Sequence, residues 1–234
     1  MDSPLTAVGL AQAEAVAARL VARRRPPVLP VPVAPPREIV HSPLARTAAT
    51  ADRIAAAMDG DAVPTRADHG FLEIAQGAWE GLTGADIAVR HAETLAAWRR
   101  RPWETVAPGG ETLATVAERV TPALARLLGG LAEGQAAGTL DRSHVAGYGD
   151  APPDHPWSVL VGHDGVFKVA LLTLFGLPIE RFWMWSMDLC GISVIEFRAG
   201  RPVLRAHNLT DHLAALDLAS RGPADAPARP EGAL

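Results

Sequence analysis

The sequence predicts an α/β fold with a ligand site at the carboxyl ends of its strands. Two strand–turn–helix junctions and the composition carry that prediction. Ser158 to Val161 is a short apolar run rich in β-branched residues, Gly162-His163-Asp164-Gly165 breaks it, and helical spacing resumes over Val166 to Phe175. Arg37 to His41, REIVH, is a second strand, with Ser42 suited to a helix N-cap and Pro43 to the first helical position. The 234 residues are 48% hydrophobic and 21% charged, which suits one domain with a full core.

Each junction carries a candidate site residue. His163 falls at the end of its strand, facing the start of the next helix. Open α/β sheets hold ligands there, and free backbone N–H groups favour an anion. An ordinary loop histidine fits the stretch equally well. Arg46 falls in the first turn of a helix running through Thr50, Ile54 and Met58. A cation at that end opposes the helix dipole. Either an anion lies between the two, held by the planar guanidinium fork, or the arginine is simply solvated. Glu73 lies between Leu72 and Ile74 in the run FLEIAQGAWEG. Burial there would raise its pKa and keep a proton available; a solvated loop carboxylate is the alternative.

The remaining elements follow in chain order. Thr6 suits the N-cap of a helix over Ala7 to Arg24, with Val8, Ala11, Ala15, Val16 and Leu20 on one stripe. Pro26 to Pro36, PPVLPVPVAPP, reads as a polyproline II excursion over the surface, with an edge strand over Val28 to Val33 as the alternative. Asp59 to Asp68 is turn-rich around Ala62-Val63. Thr83 to Arg101 reads as one helix with Ile87, Leu95 and Trp98 inward, ended by Pro102. Pro108-Gly109-Gly110 is a sharp turn. Glu111 to Leu128 is a helix with Leu113, Val116, Val120, Leu124 and Leu127 on one face. Gly129 to Pro156 reads as a loop, with His144 and His155 facing water. Gly176-Leu177-Pro178 closes the helix after His163. Arg181 to Met187, RFWMWSM, lines a pocket or packs in the core. Ile192 to Phe197 and Val203 to His207 form a hairpin about Ala199-Gly200. Ala214 to Leu234 reads as a frayed tail beyond a domain of residues 1–213.

Composition excludes several classes. A net charge of −4 and a pI near 6.1 argue against a nucleic-acid binder. Cys190, the single cysteine, permits neither an internal disulfide nor a thiolate metal cluster. No apolar run is long enough to span a membrane and no signal peptide opens the chain, so a cytoplasmic protein is expected.

Taken together, the motifs resemble the histidine phosphatase superfamily, also called phosphoglycerate mutase-like. Asp2-Ser3-Pro4-Leu5-Thr6 with Gly9 and Gln12 is similar to that family's D-x-P-L-T-x-x-G-x-x-Q. Ser42 to Thr47 is similar to S-P-L-x-R-T, and Leu72-Glu73 through Trp79-Glu80-Gly81 to L-x-E-x-x-x-G-x-W-E-G. Pro108 to Thr112 is similar to P-G-G-E-S/T, and Gly162 to Gly165 to the second histidine motif. The resemblance runs from Asp2 to about Leu213. It implies a three-layer αβα sandwich with a mostly parallel sheet. It also implies phosphomonoester hydrolysis through a phosphohistidine, with Arg46 and His163 binding phosphate oxygens and Glu73 protonating the leaving oxygen. No metal and no cofactor are implied, since cationic side chains neutralise the phosphoryl group. The expected partner is a small phosphorylated metabolite, with a homodimer compatible. A phosphatase is favoured over a mutase, because the mutases' insertion with paired arginines before P-G-G-E is not found here. Trp98, Trp103 and RFWMWSM are expected to meet the organic part of the substrate.

One family motif has no counterpart. The Arg-His-Gly carrying the nucleophile, which the family places after a central first strand and before D-x-P-L-T, is absent from the sequence. The chain as given is therefore expected to lack the nucleophile and that strand, and to be inactive. Three accounts stand open: a natural chain that begins earlier, which is favoured; a pseudoenzyme that binds phosphorylated ligands without turnover; and a replacement nucleophile at His41 or His69.

Overall fold

The computed structural model describes residues 2–58, 63–132, 155–198 and 200–216. Residues 59–62, residues 133–154 of the expected loop with His144, Ala199, and the tail from 217 onward, on which several sequence expectations rest, lie outside the described residues.

Helix α1 (Ala7–Val21) begins where Thr6 accepts a bond from the Gly9 amide at 3.1 Å, the predicted N-cap. Its buried stripe is Ala13, Val16, Ala17, Arg19 and Leu20, while Val8 is 64% exposed. The expected stripe was thus rotated, because in an alanine-rich helix spacing alone discriminates weakly between faces. The proline-rich run forms no strand, but it is not merely a surface excursion: Leu29 and Val31 are buried in the core. Arg23 and Arg19 hold it down by donating to its carbonyls, Arg23 to Pro32, Val33 and Ala34, Arg19 to Pro27.

Strand β1 (Ile39–His41) is buried throughout. Helix α2 (Ala45–Ala57) follows, two residues later than Ser42-Pro43 suggested, with Leu44 at its N-cap. Strand β2 (Thr65–Ala67) was not expected. Its three residues are polar or small and exposed or half-exposed, so no apolar signal marks this edge. The predicted helix over Thr83 to Arg101 is two helices, α3 (Gly84–Arg90) and α4 (Ala92–Arg100), broken at His91. Ile87, Leu95 and Trp98 point inward as expected. Helix α5 (Leu113–Ala132) buries the whole predicted stripe and runs four residues past Leu128, into the start of the stretch expected as a loop. His155 is exposed.

Strand β3 (Val159–Val161) leads into helix α6 (Asp164–Phe175), closed by Gly176 in the left-handed conformation at φ 61°. Strands β4 (Ile192–Arg198) and β5 (Arg201–Leu209) form the expected antiparallel hairpin.

Strands β2, β1 and β3 make a parallel sheet in that order, with His41 opposite Ala67 on one side and Val161 on the other. Ile39 packs with α1 and α2 on one face, and Val40 packs with α5 and α6 on the other. The sheet is therefore sandwiched between helices, as the α/β prediction required. Strands β4 and β5 form a separate two-stranded sheet. Trp157, just before β3, and Val159 and Val161 on it bond to Arg37, Glu38 and Ser42, which flank β1. In a parallel strand the alternate residues turn their backbone groups the other way, and among the described residues no strand pairs with that edge.

Candidate active site

Adjacent parallel strands deliver their following loops to the same end of the sheet. The β1 register therefore brings the start of α2, with Arg46 on its second residue, beside the start of α6, with His163 as its N-cap. His163 has extended backbone and its side chain does not cap the helix. The cap comes from elsewhere in the chain. Glu73 Oε1 accepts from the Val166 amide at 3.0 Å and from its own neighbour Ile74 at 2.9 Å, and Oε2 accepts from Gly165 at 3.3 Å. A carboxyl group thus occupies the positive end of α6, on the amides two and three residues beyond His163.

Gly165 makes this approach feasible. A Cβ there would lie 2.6 Å from Ile74 Cδ1 and 2.9 Å from Glu73 Oε1. Burial pushes the Glu73 carboxyl above the usual glutamate range, with the neighbouring Asp164 charge acting the same way. The three N–H donors pull against that shift without overcoming it. The site therefore holds a carboxyl group that keeps its proton to higher pH than a free glutamate.

His163 is 8% exposed, and its Nε2 is enclosed without a hydrogen-bond partner among the described residues. Burial, then the Arg46 and Arg119 charges, lower its pKa to about 3, while Asp2 opposes them. The imidazole is neutral at pH 7. The coupling places Arg46 within electrostatic reach of His163. Asp2 Oδ1 accepts the Ala45 amide at 2.7 Å, so this carboxylate caps α2 where no side chain of the helix's own N-cap does. Arg46, Glu73 and His163, distant in sequence, thus converge at one rim of the sheet.

This arrangement sets a pH dependence. Between pH 6.5 and about 3 the unfolded chain binds a proton at His163 that the folded chain does not. Stability is full above 6.5 and falls as pH drops through that window. Urea unfolding at pH 7.5 and 4.5 is expected to show a loss larger by about 2–3 kcal/mol in wild type than in His163→Gln. Glu73 contributes with the opposite sign, but equally in both proteins. An equal loss in the two proteins would contradict the burial of a neutral imidazole.

Other expected residues lie differently. His41 is buried, with its ring Nδ1 2.7 Å from the Ser42 carbonyl. His69 is exposed on a short turn after β2. Trp98 is buried among Trp79, Phe182 and Trp183, so it is core rather than pocket wall. Trp103 is half-buried and donates to Glu104. RFWMWSM divides: Phe182 is core, while Trp183 and Met184 are exposed. Sequence reasoning missed Arg119. Its donors hold the loop that carries Glu73, and its charge reaches His163. The available signal was its place three residues after Val116 and beside Val120, at the border of the apolar stripe. It also missed Lys168, the only lysine, buried and paired to Asp164 at 2.7 Å.

Comparison with known proteins identifies the family and the fold. The profile of the histidine phosphatase superfamily (branch 1) matches residues 1–210. Phosphoserine phosphatase 1 of Hydrogenobacter thermophilus is 26% identical over 178 residues, 75% of this chain and 71% of that one. Glucosyl-3-phosphoglycerate phosphatase of Mycobacterium tuberculosis is 32% identical over 183 residues, 78% of this chain and 69% of that one. The structure of a mycobacterial glucosyl-3-phosphoglycerate phosphatase in complex with inorganic phosphate superposes with a TM-score of 0.70 at 26% identity, covering 91% of this chain and 90% of that one.

Proposed function

This chain belongs to the histidine phosphatase superfamily, and we propose that its rim site is the phosphate-handling part of a phosphomonoesterase acting on a small phosphorylated metabolite. Arg46 and His163 hold the oxygens of the transferring phosphoryl group, and Glu73 gives its proton to the leaving oxygen. The observation that carries this reading is the Glu73 carboxyl fixed on the first turn of α6, immediately after a buried imidazole that also senses Arg46. The protonation states fit the roles. Burial favours the protonated form of Glu73, the form that can donate, and the neutral His163 takes up a proton as phosphate brings negative charge beside it.

A histidine nucleophile would attack phosphorus in line and give a phosphohistidine, which water then hydrolyses. The 234 residues contain no Arg-His-Gly. On this reading the 234-residue chain binds phosphate without turning it over. A chromogenic phosphate ester is expected to give negligible hydrolysis. Turnover that disappears in His41→Ala would overturn this and make His41 the nucleophile. Hydrolysis is preferred over mutase chemistry, and the relatives named phosphoserine phosphatase and glucosyl-3-phosphoglycerate phosphatase support that preference. Phosphoryl transfer between the hydroxyls of phosphoglycerate would contradict it.

A further inference from the structure

We propose that Arg119 and Glu111 form a positioning pair that holds the Glu73 loop so that its carboxyl meets the first turn of α6, neither of them touching the reacting group. This rests on the reading of Glu73 as the acid. The Glu73 side chain takes its bonds only from the main chain of Ile74, Gly165 and Val166 among the described contacts. Its reach is therefore set by the path of its own loop, and the Arg119–Glu111 pair fixes that path.

Arg119 Nη1 donates to the Gly70 carbonyl at 3.0 Å and the Leu72 carbonyl at 2.8 Å. Its Nη2 donates to the Glu73 carbonyl at 3.2 Å. The same guanidinium grips Glu111 through Nε and Nη2, both at 2.8 Å. Glu111 completes the clamp: Oε2 accepts the Ala75 amide at 3.1 Å, and its own amide donates to the Ala75 carbonyl at 2.8 Å. One planar fork thus collects three carbonyls and a carboxylate, which a lysine's ammonium lacks the geometry to do. Both charged groups are about four-fifths covered. Arg119 also holds Glu111 below the ordinary carboxylate range, so the partner stays ionised. The loop and the turn bearing Glu111 touch closely enough that a Cβ on Gly110 would sit 2.5 Å from the Ala75 carbonyl oxygen.

A positioning role and a merely electrostatic one predict opposite signs. Deleting a nearby cation raises a carboxyl pKa, whereas releasing the carboxyl from its buried seat lowers it. With carbon-13 labelled glutamate, the Glu73 midpoint followed by NMR in Arg119→Gln is expected to fall toward the ordinary glutamate value. Arg119→Lys, which retains the charge, is expected to shift the same way. Should Arg119→Gln fail to fold, Glu111→Gln gives the same comparison with a milder change. An unchanged or raised midpoint in the folded variants would overturn the proposal. Wild-type protein that binds no phosphate would instead overturn the phosphatase reading, and would leave the midpoint comparison standing.

Discussion

Gly77→Ala is expected to cost on the order of 3–5 kcal/mol of stability, the largest effect of any single methyl group in the loop that carries Glu73. Two causes add. Gly77 has φ +50°, where a side chain is strained. An added Cβ would also lie 2.3 Å from the Pro108 carbonyl oxygen, 2.5 Å from the Gly109 carbonyl carbon and 2.6 Å from the Gly110 nitrogen. All three are backbone atoms, so no side chain can swing aside. The neighbouring Ala78 amide donates to Pro108 at 2.9 Å, which ties the two loops at that point. Denaturant unfolding with an unchanged slope would report the loss. By contrast, Gly109→Ala meets no atom within 4 Å and carries only the conformational term of its φ +74°. The two variants should therefore differ by several-fold in their cost, and equal costs would refute the close approach of the loops.

Arg46→Ala is expected to weaken inorganic phosphate binding by about 10–100-fold, the range for losing charge-assisted hydrogen bonds worth roughly 1.5–3 kcal/mol. Its stability should change little. Arg46 is half-exposed, and no described hydrogen bond or ion pair of its side chain holds the fold together. Phosphate titration by calorimetry alongside thermal unfolding separates the two. A normal affinity with a lowered Tm would assign Arg46 to structure instead.

The site was more legible in the sequence than its support. His163, Arg46 and Glu73 sit at junctions that spacing and punctuation mark: an apolar run stopped by glycine, a Ser-Pro pair just ahead of a helix, a carboxylate among apolar neighbours. The α5 stripe from Leu113 to Leu127 was equally plain, because large aliphatic residues at helical spacing leave one face to bury. Strand β2 was hidden because Thr65-Arg66-Ala67 is an exposed edge with nothing apolar to alternate. The break at His91 carries neither glycine nor proline, and the Thr83–Asp86 capping box marks only where α3 begins. The seating of the run that carries Leu29 and Val31 involves Arg19 on α1 and Arg23 just after it, through-space contacts that local pattern does not encode. The Arg119 clamp was obscure for the same reason. Its partners are main-chain carbonyls more than forty residues away, and carbonyls have no residue identity to read.

The central claim is that Arg46, Glu73 and His163 surround one phosphate-sized anion. It is tested most directly by following the His163 imidazole by NMR while inorganic phosphate is added near neutral pH. The account predicts that the neutral ring, with its pKa near 3 in the free protein, gains a proton as phosphate binds, and that this response is lost in Arg46→Ala. A His163 signal unmoved by saturating phosphate, or one that responds equally without Arg46, would contradict it.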